Sequence, residues 1–175
     1  MDNSGDPLIR RFFRRMRLPA SGFTLVEVMV VIAIFAILAA VALPLIISSL
    51  PGYRLRAAAR ELVIDFKRAK VEAVKRNQNV LLQFTPASAG EGGWYALCAD
   101  LNKNNTCDAG EEIARVAMPR DVRLVGPNFS NTNTCGYDPR GMPWRNRWGR
   151  VDLTTADGSR TYRISISSGG AVRMQ

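Results

Sequence analysis

Histidine is missing from all 175 residues, and cysteine occurs only three times. The first absence removes the commonest general base and the commonest transition-metal ligand. It also removes the triads that pair a nucleophile with an imidazole. The three cysteines, Cys98, Cys107 and Cys135, include no C-x₂-C pair, so a zinc site has no support. No P-loop, paired-glycine nucleotide fingerprint or nucleophile elbow occurs. A hydrolase built on two carboxylates would need none of these, but nothing else in the chain favours one. Tandem repeats and low-complexity tracts are missing too. The reading is of a protein that is not an enzyme.

Charge is scarce in one stretch. From Phe23 to Leu43 the only polar side chains are Thr24 and Glu27. About 20 apolar residues suffice for a helix to span a bilayer. A charge at the centre of such a helix costs at least ~2.5–3.5 kcal/mol on insertion scales, and less near an end, where Glu27 lies. The carboxylate still calls for a partner. Before the run, Arg10, Arg11, Arg14, Arg15 and Arg17 face only Asp2 and Asp6. This basic excess is expected to hold the N-terminal end in the cytoplasm and send the rest of the chain across.

Three plainer signals compete. A secretory signal peptide has an apolar core of about 7–15 residues and a small-residue cleavage site, such as Ala40-Val41-Ala42. The run here is longer and carries Glu27. A twin-arginine signal has its pair in Arg10-Arg11 but lacks the preceding Ser or Thr. A plain signal anchor leaves Gly22 and Glu27 unexplained.

The segment Gly22-Phe23-Thr24-Leu25-Val26-Glu27-Val28, behind its basic leader, resembles the class III signal of type IV prepilins and type II secretion pseudopilins. The resemblance implies cleavage after Gly22 by a membrane-embedded prepilin peptidase, which then N-methylates Phe23. It also implies that Glu27, fifth in the mature chain, guides subunit assembly. An unpaired carboxylate among packed apolar helices is costly, and the α-amino group of a neighbouring Phe23 is a natural cationic partner.

Composition bounds the remainder. With 47% hydrophobic residues, the chain allows one membrane helix and one domain of roughly 100–120 residues. The net charge is +9, of which the leader holds +3. Pro44 is expected to kink or locally melt the helix, and Pro51-Gly52 is a second weak point. One long, interrupted helix follows from this. From Tyr53 to about Arg76 the pattern is amphipathic: Leu55, Leu62, Phe66, Ala69 and Ala73 share one face. Arg54, Arg60, Lys67, Arg68, Lys75 and Arg76 fall mainly elsewhere, as a solvated face rather than a nucleic-acid-binding one. Of the four-residue steps, Glu72 to Arg76 is a favourable pair.

Beyond Asn77 the texture is β-rich. Strands are predicted at Val80–Phe84, Trp94–Ala99, Ile113–Ala117, Val122–Val125, Val151–Leu153, Tyr162–Ser167 and Ala171–Met174, separated by Gly, Pro, Asn and Asp turns. Strands that follow one helix without alternating helices predict an α+β domain with an antiparallel sheet. Arg56-Ala57-Ala58-Ala59-Arg60-Glu61-Leu62, the segment Ala69 to Val80, Tyr137-Asp138-Pro139-Arg140-Gly141 and Ile164 to Gly170 are similar to the GspH/FimT group of minor pilins and minor pseudopilins. That group implies a type IV pilin-like fold, with a long N-terminal helix, transmembrane in one half and amphipathic in the other, packed on a C-terminal antiparallel β-sheet domain. The corresponding organisation is a leader over 1–22, an assembly helix over 23–50, an amphipathic helix over 51–78 and a periplasmic β-rich domain over 79–175.

One loop suggests its own chemistry. Asp100, Asn102, Asn104, Thr106, Asp108 and Glu111 stand at positions 1, 3, 5, 7, 9 and 12, the spacing of a Ca²⁺ loop. Thr106 would offer its backbone carbonyl, and Asn105 stands where glycine usually makes the turn. The competing reading is an Asn/Asp turn held by side-chain–backbone hydrogen bonds. Cys98 and Cys107 bracket the loop and are the favoured disulfide in an oxidising compartment, with Cys135 an alternative partner for either.

The C-terminal part is basic and aromatic, with Arg140, Trp144, Arg145, Arg147, Trp148 and Arg150 followed by Arg160, Arg163 and Arg173. Arginine beside tryptophan suits phosphate contact and base stacking. Resemblance to DNA-binding FimT-type minor pilins implies a Gly-Arg-x-Arg tail, but Gly170-Ala171-Val172-Arg173 lacks the first arginine. Arg145, Arg147, Arg150 and Arg173 are the candidate DNA contacts. The reading that unites these features is a minor pseudopilin, at or near the tip of a type II secretion pseudopilus and helping to initiate its assembly. It would be anchored in the inner membrane and partnered by other pseudopilins. The alternative is a FimT/FimU-like minor pilin of a type IV pilus, with DNA capture in uptake as an added role.

Overall fold

The computed structural model describes residues 22–108 and 110–175. The leader arginines, Arg10 to Arg17, therefore lie outside the described residues. The chain divides at Pro44/Leu45 into two compact units.

One helix, α1, covers Leu25–Arg76. Its start is set by Thr24, whose hydroxyl accepts the N–H of Glu27 at 3.2 Å. Thr and Glu three residues apart are the sequence of a capping box, and a carboxylate in the first turn complements the helix dipole. The end is as well defined. Asn77 adopts φ 52, Gln78 N–H donates to the Ala73 carbonyl and Asn77 N–H to that of Val74. These two bonds around a left-handed residue close the helix in a Schellman motif.

The expected interruption at Pro44 and Pro51 is not observed: helical hydrogen bonding continues through both. A proline removes one donor, but its fixed φ is itself helical, and the flanking turns carry the ladder on. Nearby, the hydroxyls of Ser48 and Ser49 both donate to the Leu45 carbonyl, at 3.0 and 2.9 Å.

Among the described residues eight strands follow: β1 (Val80–Thr85), β2 (Trp94–Ala99), β3 (Glu112–Ala117), β4 (Val122–Phe129), β5 (Thr134–Tyr137), β6 (Gly149–Thr155), β7 (Thr161–Ile166) and β8 (Val172–Met174). They form two antiparallel four-stranded sheets, β3-β2-β1-β5 and β4-β6-β7-β8. The expected α+β domain with antiparallel β-structure is observed, its strands shared between two sheets. A short 3₁₀ turn, Trp144–Asn146, precedes β6.

The amphipathic reading of α1 holds. Leu55, Leu62, Phe66, Ala69 and Ala73 are all fully buried, against alternate residues of both sheets. Phe66 is the keystone: its ring lies 6.0 Å from Phe84 of β1 and 6.4 Å from Phe129 of β4, which stack on each other at 5.3 Å. Helix and both sheets therefore meet at three phenyl rings. Arg54, Arg60, Lys67, Arg68, Lys75 and Arg76 are exposed, and Arg76 pairs with Glu72 at 2.7 Å.

Several strand ends move by one or two residues, and two larger differences from the sequence reading have a visible cause. β5 was not anticipated, because Gly136 reads as a turn. In the sheet a Cβ on Gly136 would lie 2.3 Å from the Val80 carbonyl oxygen, so close backbone approach requires the glycine. β4 runs past Gly126-Pro127 because the register shifts between Val125 and Asn128. Such a bulge admits the left-handed Gly126 (φ 54) without ending the strand.

Candidate functional site

The first unit presents an uncovered apolar helix. Every described residue from Gly22 to Leu50 is exposed, including Phe23, Leu25 and Val26. An 18-residue window of α1 reaches a mean hydropathy of 3.2 with none of it buried within the chain. Gly22 has nothing within 4 Å of where a Cβ would stand. Among the described residues no packing demands a glycine at this position. Glu27 sits in the first turn of α1 with its N–H held by Thr24, a local role that the sequence reading missed although the Thr-x-x-Glu spacing signals it.

The second candidate is the loop between β2 and β3. Cys98 and Cys107 are joined as a disulfide, with Cα atoms 5.6 Å apart, while Cys135 is a free, buried thiol in β5. Burial pushes the Cys135 thiol well above its usual range. Within the loop, Asn102 Nδ2 donates to Asp108 Oδ2 at 2.9 Å, and Asn104 Nδ2 donates to the same oxygen. The Thr106 hydroxyl lies 3.2 Å from Asp108 Oδ1. These bonds from Asn102, Asn104 and Thr106 hold the Asp108 carboxyl below the ordinary carboxylate range. Glu111 folds back over the start of the loop: Oε1 accepts the N–H of Leu101 at 2.9 Å and of Asn102 at 3.1 Å. Asp100 accepts the Asn105 N–H through Oδ1 at 3.2 Å. Among the described residues no group of three or more His, Cys, Asp and Glu side chains is placed to hold a metal. A cation here would have to draw on amide and carbonyl oxygens as well.

The arginines suggested for DNA divide into two groups. Arg145 and Arg147 fold onto the Trp144 ring, at 5.0 and 4.5 Å from its centre, as cation–π pairs. Arg150 and Arg173 are exposed, and both are aligned with Ser165 in the register of β6-β7-β8. Arg150 also borders an open cavity of about 570 Å³ with Trp148, Arg163 and Gln175. Arg163 is already paired with Asp152 at 2.9 Å.

The Tyr137-Asp138-Pro139-Arg140-Gly141 segment is a structural corner. Asp138 Oδ1 accepts the N–H groups of Arg140 and Met142, at 2.9 and 3.0 Å, and its carboxylate also takes the Arg140 guanidinium. The buried Tyr137 hydroxyl donates to the Gly170 carbonyl at 3.3 Å. Gly170 itself is left-handed, with φ 77. Two motifs far apart in sequence thus meet at one corner of the fold.

Residues 17–43 match the family model for the prokaryotic N-terminal methylation motif, and residues 58–170 match that for type II transport protein GspH. The pilin-like protein PilA1 of Thermus thermophilus is 33% identical over 165 residues, which cover 88% of this chain and 97% of that protein. The crystal structure of the Pseudomonas aeruginosa type IV minor pilin FimU aligns with a TM-score of 0.52 at 16% identity, over 69% of this chain and 87% of FimU. The minor pseudopilin EpsH of the Vibrio cholerae type 2 secretion system aligns at 0.49 and 8% identity, over 70% and 96%. With a methylation motif at the head of one apolar helix and two antiparallel sheets packed on the rest of that helix, the chain belongs to the GspH family of type IV pilin-like proteins.

Proposed function

We propose that the protein is a structural subunit of a type II secretion pseudopilus, a minor pseudopilin at or near the tip that helps to initiate assembly. The observation that carries this is the uncovered apolar half of α1, headed by Gly22-Phe23-Thr24-Leu25-Val26-Glu27. The inner membrane covers that surface first. After a prepilin peptidase cuts behind Gly22 and methylates Phe23, the corresponding helices of other subunits cover it in the filament. The chain is then a substrate of processing enzymes. Glu27, beyond its local N–H bond, meets the α-amino group of a neighbouring Phe23.

A second reading, a minor pilin of a type IV pilus, is favoured by the full-length match to a protein called pilin-like. A deletion strain complemented with the full chain separates the two. Loss of protein secretion with twitching intact supports the pseudopilus. Lost twitching with intact secretion supports the pilus. In the second case, gel shifts across a salt series test DNA capture through Arg150 and Arg173, because phosphate contacts weaken steeply with salt.

A further inference from the structure

The loop between β2 and β3 holds something that filament assembly does not use: a buried carboxylate oxygen with no bond. Asp100 is 1% exposed, and its Oδ2 has no hydrogen-bond partner among the described residues. Its other oxygen is committed to the Asn105 N–H, which fixes the carboxylate toward the loop interior. A buried anionic oxygen left unmet is costly, and native folds answer such groups with an ion or a donor. Asp100 is held firmly in place: its N–H donates to the Asn79 carbonyl, and the N–H of Ala99 donates to that of Glu111, at 3.0 and 2.9 Å.

We propose that this oxygen is a ligand to Ca²⁺, held by the loop Asp100–Glu111. The donors are oxygens only, and the loop's three carboxylates do not yet converge on one point: binding would gather Asp100 Oδ2, the amide oxygens of Asn102 and Asn104, the Thr106 backbone carbonyl, and the carboxylates of Asp108 and Glu111 drawn from their present bonds. Asn102, Asn104, Thr106 and Asp108 already converge on one another through hydrogen bonds. Each amide carries an oxygen as well as a nitrogen, and side-chain rotation decides which one faces the ion. Asn105 has φ 68, so the left-handed turn falls at the sixth loop position, where the chain must bend sharply around the cation. Glu111, at the twelfth, is 7% exposed and reaches back to the first turn of the loop. The Cys98–Cys107 bond ties the eighth loop position to β2.

Charge and ligand type select the ion. The loop has three carboxylates and only Lys103 against them, in a chain whose net charge is +9. No imidazole exists, and both nearby sulfurs are in the disulfide, so soft or borderline metals find no preferred donor. A set of six or seven oxygens in a flexible loop suits Ca²⁺, while Mg²⁺ demands a tighter octahedron.

The full chain, purified in detergent micelles and stripped with chelator, tests this by calorimetry and thermal unfolding. The expected result is Ca²⁺ binding at about 10⁻⁴–10⁻³ M, with a raised unfolding midpoint and at least about tenfold weaker Mg²⁺ binding. Asp100→Asn keeps an acceptor for Asn105 but loses the anionic oxygen. Asn104→Ala alters an exposed donor. Each should weaken Ca²⁺ at least about tenfold, and both variants should still unfold cooperatively in chelator, which separates a lost ligand from a lost fold. The proposal is overturned by no heat and no shift up to about 10 mM Ca²⁺, or by wild-type binding in both variants. Either result leaves processing at Gly22 untouched, so this site and the filament reading fail separately.

Discussion

Tyr95 donates its phenolic hydrogen to Asp65 Oδ2 at 2.7 Å, and both residues are buried where α1 meets β2. In the sequence Asp65 is one more acidic residue of the amphipathic stretch. Its partner lies thirty residues on, in another element, where helical spacing cannot point. Removing the hydroxyl in Tyr95→Phe leaves a buried carboxylate short of a donor. That should cost about 1–3 kcal/mol in denaturant unfolding of the solubilised chain. Replacing both groups, as in Asp65→Leu with Tyr95→Phe, should recover part of the loss, because the two changes couple.

Alkaline pH should unfold the domain through its tyrosines. Burial, reinforced by the bond to Asp65, raises the Tyr95 phenol, and burial raises Tyr137. In the unfolded chain both ionise near about pH 10. The folded state therefore holds protons that the unfolded state has released. The buried Cys135 thiol, also raised, begins the loss of stability near about pH 8.5, and above about pH 10 the two tyrosines add up to about 2.7 kcal/mol per pH unit. Unfolding curves between about pH 8 and 11.5 read this directly, and Tyr137→Phe should take about 1.4 kcal/mol per pH unit off the slope above about pH 10.

The cysteines give a counting experiment. Cys135 is buried with its thiol raised, and Cys98 is bonded to Cys107. A thiol reagent should label no site on the native chain. One site should react after unfolding without reductant, and all three after unfolding with it. Reduction should also weaken Ca²⁺, because the freed loop must then be ordered on binding.

How much of this was legible follows from where each signal sits. The buried stripe from Leu55 to Ala73 could be read residue by residue, since a helix writes its burial in its own period. The strands stood out where β-branched and aromatic residues alternate with polar ones, as at Thr161–Ile166. The reading missed β5 and shortened β4 because Gly136 and Gly126-Pro127 signal turns locally. Their strand roles come from a neighbouring backbone and a bulge, which are tertiary facts. The division into two sheets is likewise a matter of pairing, which strand composition does not encode. At the N-terminus the apolar run and Glu27 stood out, yet the cap between Thr24 and Glu27 passed unnoticed beside the larger anomaly.

Glu27→Ala separates the local from the assembly role. The N–H bond to Thr24 uses the backbone and survives the substitution. The helix should lose only about 0.3–1 kcal/mol from the dipole contact. Cleavage behind Gly22 should continue, while co-purification with the filament should fall to background. Normal incorporation of the variant would remove the assembly role of Glu27.

The central claim is that this chain is cut between Gly22 and Phe23 and built into a filament by the helix thus exposed. Mass spectrometry of the N-terminal peptide, from protein recovered with sheared filaments, tests it most directly. The account requires a peptide beginning at Phe23 and carrying one added methyl group. A chain still bearing the leader arginines, or one starting beyond Ala42, would contradict it.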